Sequence, residues 1–128
     1  KPQEAQEYAA QAEKVKQAFH TKFFNPGSFD YDNGTQTASI LALAFGMVPQ
    51  EYEQQVFEAL VNKILIGTLG HVGTGLIGGQ WLMRVLSDHG RADVAYTLAT
   101  QKDYPSWGYM IENQAYKTLM YFGSTNKE

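Results

Sequence analysis

The sequence predicts an all-α fold of about six helices arranged as three hairpins. Three observations carry this. Apolar residues recur at three- and four-residue steps through most of the chain. Turn-forming clusters, Asn25-Pro26-Gly27-Ser28, Asp32-Asn33-Gly34 and Tyr104-Pro105-Ser106 among them, divide it into helix-length pieces. No convincing strand run exists apart from the short aromatic stretch Phe29 to Tyr31. The predicted pairs are 2–24 with 35–46, 49–66 with 76–89, and 91–101 with 106–113. In each pair an amphipathic helix precedes a more apolar one containing small residues, which implies two concentric layers.

Pro2 suits a first helical position, and Glu4, Glu7 and Glu13 precede Lys14, Lys16 and Lys22 as the helix dipole favours. Tyr8, Ala12, Val15, Ala18, Phe19 and Phe23 predict one buried face on this helix. Thr35 or Thr37 caps the next helix, which stops at Gly46. It carries no charge, and its small residues Ser39, Ala42 and Ala44 predict burial on nearly every side. Pro49 opens a helix to about Ile66, with Tyr52, Val56, Phe57, Leu60 and Ile64 inward. A glycine-rich stretch from Gly67 to Gly79 follows, with His71 in its middle. The next helix begins at Leu76 or Gly79, runs to His89 and ends at Gly90. A short helix over 91–101 buries Ala92, Val94, Ala95, Leu98 and Ala99, and Trp107 to Glu112 starts a last apolar segment.

Composition excludes several functions. The 128 residues, 44% hydrophobic and 18% charged, suit one soluble domain rather than a disordered chain. The absence of cysteine excludes disulfide scaffolds, zinc-thiolate sites and thiol catalysis, and leaves the compartment open. A net charge of −3 and pI of about 5.6 remove the electrostatic case for nucleic acid. The apolar run Ala38 to Val48 is shorter than the about 20 residues of a membrane span. The chain opens on Lys1, without methionine or a signal-peptide pattern, and reads as a piece cut from something longer.

The glycine-rich stretch invites a phosphate-loop reading, but neither the required lysine nor a preceding strand is present, and a flexible loop is the better reading. His20 and His89 fall in last helical turns, where a cation caps the helix, and no His-x-His or HExxH spacing points to a metal. No cofactor is expected. Most carboxylates lie on solvated helix faces; Asp30, Asp32, Asp103 and Glu112 lie in loops or near apolar segments, and none forms a catalytic pair. Tyr31, Tyr104, Trp107 and Tyr109 have the ring shape that stacks on sugars, though single aromatics are more often core.

The runs Leu86-Ser87-Asp88-His89-Gly90-Arg91-Ala92-Asp93-Val94-Ala95-Tyr96 and Tyr104-Pro105-Ser106-Trp107-Gly108-Tyr109-Met110-Ile111-Glu112 carry a family signal. So do Asp32-Asn33-Gly34-Thr35-Gln36-Thr37-Ala38, Ala42-Leu43-Ala44-Phe45-Gly46-Met47-Val48-Pro49 and Gly70-His71-Val72-Gly73-Thr74-Gly75-Leu76-Ile77-Gly78. In order and spacing they resemble the catalytic domain of bacterial α-L-rhamnosidases of glycoside hydrolase family 78, over nearly the whole chain to about residue 115. The resemblance implies an (α/α)6 toroid, of which 1–128 is the last half, and a rhamnose-containing glycoside as substrate. It implies hydrolysis with inversion by a general acid and a general base. The family's acid lies upstream of this chain. Its base is a Glu in a Gly-Ala-Thr-Thr-x-Trp-Glu motif, and that position is Met120 here. Glu112 lies too far upstream to be the same residue. The chain alone is therefore expected to be inactive. The alternative is a non-catalytic sugar-binding or structural relative that has lost its base. Gln36, His71 and Trp107 are the residues expected near the sugar, because their loops open the inner helices. Inner helices without their covering half are expected to expose apolar surface and drive self-association.

Overall fold

The structure is a computed structural model and describes residues 2–113. Met120, the position read as the general base, therefore lies outside the described residues. Six α-helices lie within them: α1 (Pro2–Phe23), α2 (Gln36–Ala44), α3 (Gln50–Asn62), α4 (Leu76–Asp88), α5 (Ala92–Thr100) and α6 (Trp107–Glu112). A π-helical turn, Lys63–Gly67, extends α3. The two short strands β1 (Phe24–Asn25) and β2 (Asp30–Tyr31) pair antiparallel between α1 and α2. The all-α class and the succession of six helices agree with the sequence. None of the described helices is long and apolar enough to cross a membrane.

Local chemistry sets the helix boundaries. Thr35 is the N-cap of α2, its hydroxyl accepting the Ala38 N–H at 3.3 Å. Ser106 caps α6 in the same way, accepting from Tyr109 N–H at 3.0 Å. Gly46 and Gly90 follow α2 and α4 at φ of 62° and 77°, a conformation that ends a helix at little cost only for glycine. His89 caps the end of α4, its Nδ1 donating to Val85 O at 2.9 Å while its ring stacks on Phe57.

The core is one apolar cluster. Ile40 from α2, Val56 and Leu60 from α3, Ile64 from the π-turn, Leu82 and Leu86 from α4, and Val94 and Leu98 from α5 are all 0–1% exposed. Fully burying each such side chain contributes roughly 1.5–3 kcal/mol, so this seam dominates stability. Helix α2 packs on α3 and α4, and α5 packs on α4 and α6. As its uncharged sequence predicts, no residue from Gln36 to Ala44 is exposed.

Three expectations need correction. Helix α1 contains no buried residue, and Tyr8 and Val15 are 73% and 56% exposed. Only its C-terminal end packs: Phe19 stacks on Tyr31, and Phe23 meets the core. No described element lies against its earlier turns, so a helical stripe there has nothing to cover it. His20 does not cap the helix. It lies 2.8 Å from Tyr31 Oη and clusters with the rings of Phe24 and Tyr52, so its polar partner comes from β2. In α5, Ala92 and Ala99 are exposed; only Val94, Leu98 and, in part, Ala95 face neighbours.

Two glycines allow close helix approach. A methyl group at residue 78 would collide with Thr37 Oγ1, and one at residue 108 with the Gln101 carbonyl oxygen. Thr37 can rotate, whereas a backbone carbonyl cannot move without shifting its segment. Gly108→Ala is expected to lower stability by about 1–3 kcal/mol and by more than Gly78→Ala, as read from denaturant midpoints. Equal, negligible losses would refute this packing.

Candidate functional site

The N-terminal ends of α2, α4 and α6 are entered from three loops, and side chains tie these loops together. Gln36, the first residue of α2, is 3% exposed. Its Nε2 donates to Thr68 Oγ1 at 3.1 Å, and its Oε1 accepts the Gly73 N–H at 3.0 Å. Thr68 Oγ1 in turn lies 2.9 Å from Ile64 O and 2.6 Å from His71 O, and its single hydrogen serves one of them. A methyl group at residue 73 would sit 2.7 Å from Gln36 Nε2, so only glycine lets the amide reach that backbone. From the next loop, Gln101 Nε2 approaches Leu69 O at 3.5 Å.

A cavity of about 580 Å³ opens between the glycine-rich segment 67–75 and the pair Tyr104-Pro105. This volume suits a small organic ligand. Its lining contains no Asp, Glu, Lys or Arg; Thr68, His71 and Thr74 are its polar side chains, and Leu69, Val72 and Pro105 are apolar. The Nδ1 of His71 faces two carbonyls, Thr68 O at 2.9 Å and Leu69 O at 3.1 Å, so that nitrogen carries the hydrogen and donates. In the neutral ring Nε2 is then an acceptor. It is buried and has no partner among the described residues, and the same holds for Thr74 Oγ1. Gly75 precedes α4 without a side-chain cap, so the helix's first N–H groups receive no side-chain acceptor from it.

The three residues singled out from sequence thus take different places. His71 lines the cavity. Gln36 lies beneath the loop, with both ends of its amide engaged there. Trp107 opens α6 partly buried against the core and is not among the lining residues; Tyr104 and Pro105 are. Tyr104 is one of the four aromatics the sequence offers for stacking on a sugar, whereas Thr68 and Thr74 are not singled out there. A threonine beside glycines looks like loop filler, and only the fold reveals what its hydroxyl reaches. The carboxylates also separate: Glu112 is exposed and pairs with Lys102 at 2.9 Å, away from the cavity lining.

A second polar cluster fixes the other end of the face. Asp30 is 7% exposed. Its Oδ1 accepts from Asn25 Nδ2 and Ser28 Oγ, each at 2.8 Å, and its Oδ2 from Lys63 Nζ at 3.0 Å. Lys63 also donates to the Gly34 carbonyl. Lys63 begins the π-turn that feeds the glycine-rich segment, so the cluster joins the loops before α2 and α4. Burial pushes the Asp30 carboxyl up, but the hydrogen bonds from Asn25, Lys63 and Ser28 outweigh it and hold the pKa below 3.8. A carboxylate with a lowered folded-state pKa contributes stability above its unfolded pKa and loses it as pH falls through the folded value. Stability is expected to fall below about pH 4, and Asp30→Asn is expected to flatten that fall while lowering stability at pH 7. Urea midpoints from pH 2 to 7 check this; parallel curves for the two proteins would contradict it.

The comparisons with known proteins agree with this architecture. The bacterial alpha-L-rhamnosidase 6 hairpin glycosidase domain matches residues 1–128. An alpha-L-rhamnosidase of Formosa agariphila is 37% identical over 109 residues, covering 84% of this chain and 11% of the relative. One from Alteromonas sp. (strain LOR) is 33% identical over 127 residues, covering 98% of this chain and 14% of the relative. Among solved structures, the alpha-L-rhamnosidase from Dictyoglumus thermophilum superposes with a TM-score of 0.80 at 36% identity, over 86% of this chain and 12% of that one. The Streptomyces avermitilis enzyme, solved in complex with L-rhamnose, gives 0.76 at 33% identity, over 85% and 10%. The chain therefore spans a small part of the length of each relative. By sequence and by fold, it belongs to the bacterial α-L-rhamnosidase family, within its six-hairpin glycosidase domain.

Proposed function

We propose that the protein containing this chain is a glycoside hydrolase that releases terminal α-L-rhamnose with inversion. In this reading the chain contributes one half of an (α/α)6 toroid, and the loops before α2, α4 and α6 form one wall of the substrate site. The observation that carries the reading is the family match over residues 1–128 together with a partly polar cavity between the segments that lead into α4 and α6. A sugar offers hydroxyls to polar atoms and C–H faces to apolar ones, and this lining supplies both. His71, which lines the cavity, is the residue assigned to the sugar, with Gln36 holding its loop and Trp107 backing α6.

Inverting hydrolysis needs one carboxyl group to protonate the leaving oxygen and another to activate water. No carboxylate lines the cavity, so the wall binds and orients while acid and base come from elsewhere. The acid is assigned upstream of the chain. The base position falls on Met120, whose thioether side chain cannot take a proton from water at neutral pH. That residue favours the second reading, a non-catalytic sugar-binding relative. Purified alone, the chain is expected to release no rhamnose from an aryl α-L-rhamnoside above a buffer blank. The full-length protein is expected to gain activity on Met120→Glu if it descends from an enzyme that lost its base. Activity of the isolated chain would overturn the assignment of both carboxylates.

Self-association belongs to the same proposal. Phe45, Leu69 and Ile77 are 58%, 74% and 61% exposed, and such apolar side chains are the surface through which copies would associate. Phe45 falls within the helix 35–46 read from the sequence, whereas no residue from Gln36 to Ala44 is fully exposed. The isolated chain is expected to form dimers or larger species at high concentration. Light scattering that shows a monomer throughout would contradict this.

A further inference from the structure

We infer that Leu69 is an apolar contact for the glycoside in the cavity it lines, meeting either the methyl group of rhamnose or the group to which the rhamnose is linked. The inference rests on the reading of the protein as a rhamnoside hydrolase, and it goes beyond that reading by naming the side chain that selects an apolar part of the ligand.

Leu69 holds a backbone conformation that does not suit it. Its φ is 50°, in the left-handed region that residues other than glycine enter at a cost. Among the described residues Phe29 and Asp32 share this region, both at 52°. Asp32 is a short polar residue in a turn, a type that tolerates the left-handed region. Phe29 is half-buried, and its ring meets Phe24 edge to face with centroids 6.2 Å apart, so packing offsets its strain. Leu69 has neither compensation. Leucine is no turn former, and this one is 74% exposed.

The loop uses the backbone of residue 69 and not its side chain. The Leu69 carbonyl accepts from His71 Nδ1 at 3.1 Å and lies 3.5 Å from Gln101 Nε2. Gly70, at φ 74°, continues the turn and donates its N–H to Ile64 O at 2.8 Å. Glycine at residue 69 would make the same backbone contacts at lower conformational cost. The leucine adds strain and exposed apolar surface, and each is unfavourable by itself. An apolar ligand group laid against the side chain removes the second and offsets the first. Leu69 lines the cavity of about 580 Å³ together with Val72 and Pro105, in a lining without Asp, Glu, Lys or Arg. A neutral ligand with an apolar group fits such a wall, because a buried charge would go unpaired there. A rhamnoside is neutral and offers two such groups. Rhamnose carries a methyl group where most hexoses carry a hydroxymethyl, and an aryl aglycone adds a ring.

The test uses the full-length protein with methyl and phenyl thio-α-L-rhamnosides, sulfur-linked ligands that bind without being cleaved. Titration calorimetry gives Kd for each. Leu69→Ala, which keeps the strain and removes the bulk, is expected to weaken binding about three- to tenfold. Leu69→Met, which returns apolar bulk, is expected to recover most of that loss. Leu69→Gly, which removes bulk and strain together, is expected to bind as weakly as Leu69→Ala yet melt no lower than wild type. A loss with both ligands puts the rhamnose methyl group on Leu69; a loss with the phenyl glycoside alone puts the linked group there. Equal Kd for wild type and Leu69→Ala with both ligands overturns the inference, and a changed association state beside equal Kd would place Leu69 between copies instead. A loss that Leu69→Met does not recover, or a lower melting temperature for Leu69→Gly, marks the side chain as structural and also overturns it. A wild type that binds neither ligand refutes the rhamnoside reading instead. Saturation-transfer NMR with free phenol then decides: transfer that Leu69→Ala weakens supports the apolar contact, and transfer that is equal or absent overturns it.

Discussion

A single buried amide spans two helices in this fold. Gln36 stands at the start of α2, yet its side chain is spent on the segment leading into α4, donating to Thr68 and accepting from Gly73. A buried amide left unpaired costs about 1–3 kcal/mol, so the loop and the helix start hold each other in place. Thr68 extends the tie to the carbonyls of Ile64 and His71. The position of His71, the shape of the cavity and the distance across to Tyr104 all depend on where that loop is held.

The Asp30–Lys63 cluster works in parallel from the other side. It secures the turn before α2 to the first residue of the π-turn, while the apolar seam of α2, α3, α4 and α5 secures the helices behind. The result is a division of labour along each helix. Apolar middles build the core, and polar N-terminal ends with glycine-rich approaches build one open face. Helix N-termini suit such a face because their first N–H groups lack intrahelical acceptors.

Much of this was legible in the sequence. Helix boundaries at Thr35, Gly46 and Gly90 follow from local capping chemistry, which needs no tertiary context. The seam of Val56, Phe57, Leu60 and Ile64 follows from helical spacing, because a helix that packs along its length must bury that stripe. Spacing failed at Tyr8 and Val15, where the stripe exists but no described element covers it. It failed again at His20, whose partner Tyr31 comes from across the β-turn and not from its own helix. For the candidate site, the glycine-rich loop and His71 could be picked out by eye. Gln36 was picked out too, but its bonds to Thr68 and Gly73 were not legible, since they join segments more than 30 residues apart. The catalytic carboxylates were not legible as a pair because the family resemblance assigns the acid upstream and the base position to Met120.

Under the proposed function, this chain would supply a binding wall and not the acid or base of the reaction. A crystal structure of the full-length protein with L-rhamnose or a rhamnoside bound tests that most directly. The predicted result is a sugar ring in the cavity between segment 67–75 and Tyr104, with no carboxylate from residues 2–113 within hydrogen-bonding distance of the glycosidic bond. A ligand seated elsewhere, or one whose reacting bond is flanked by Asp30, Asp103 or Glu112, would contradict it.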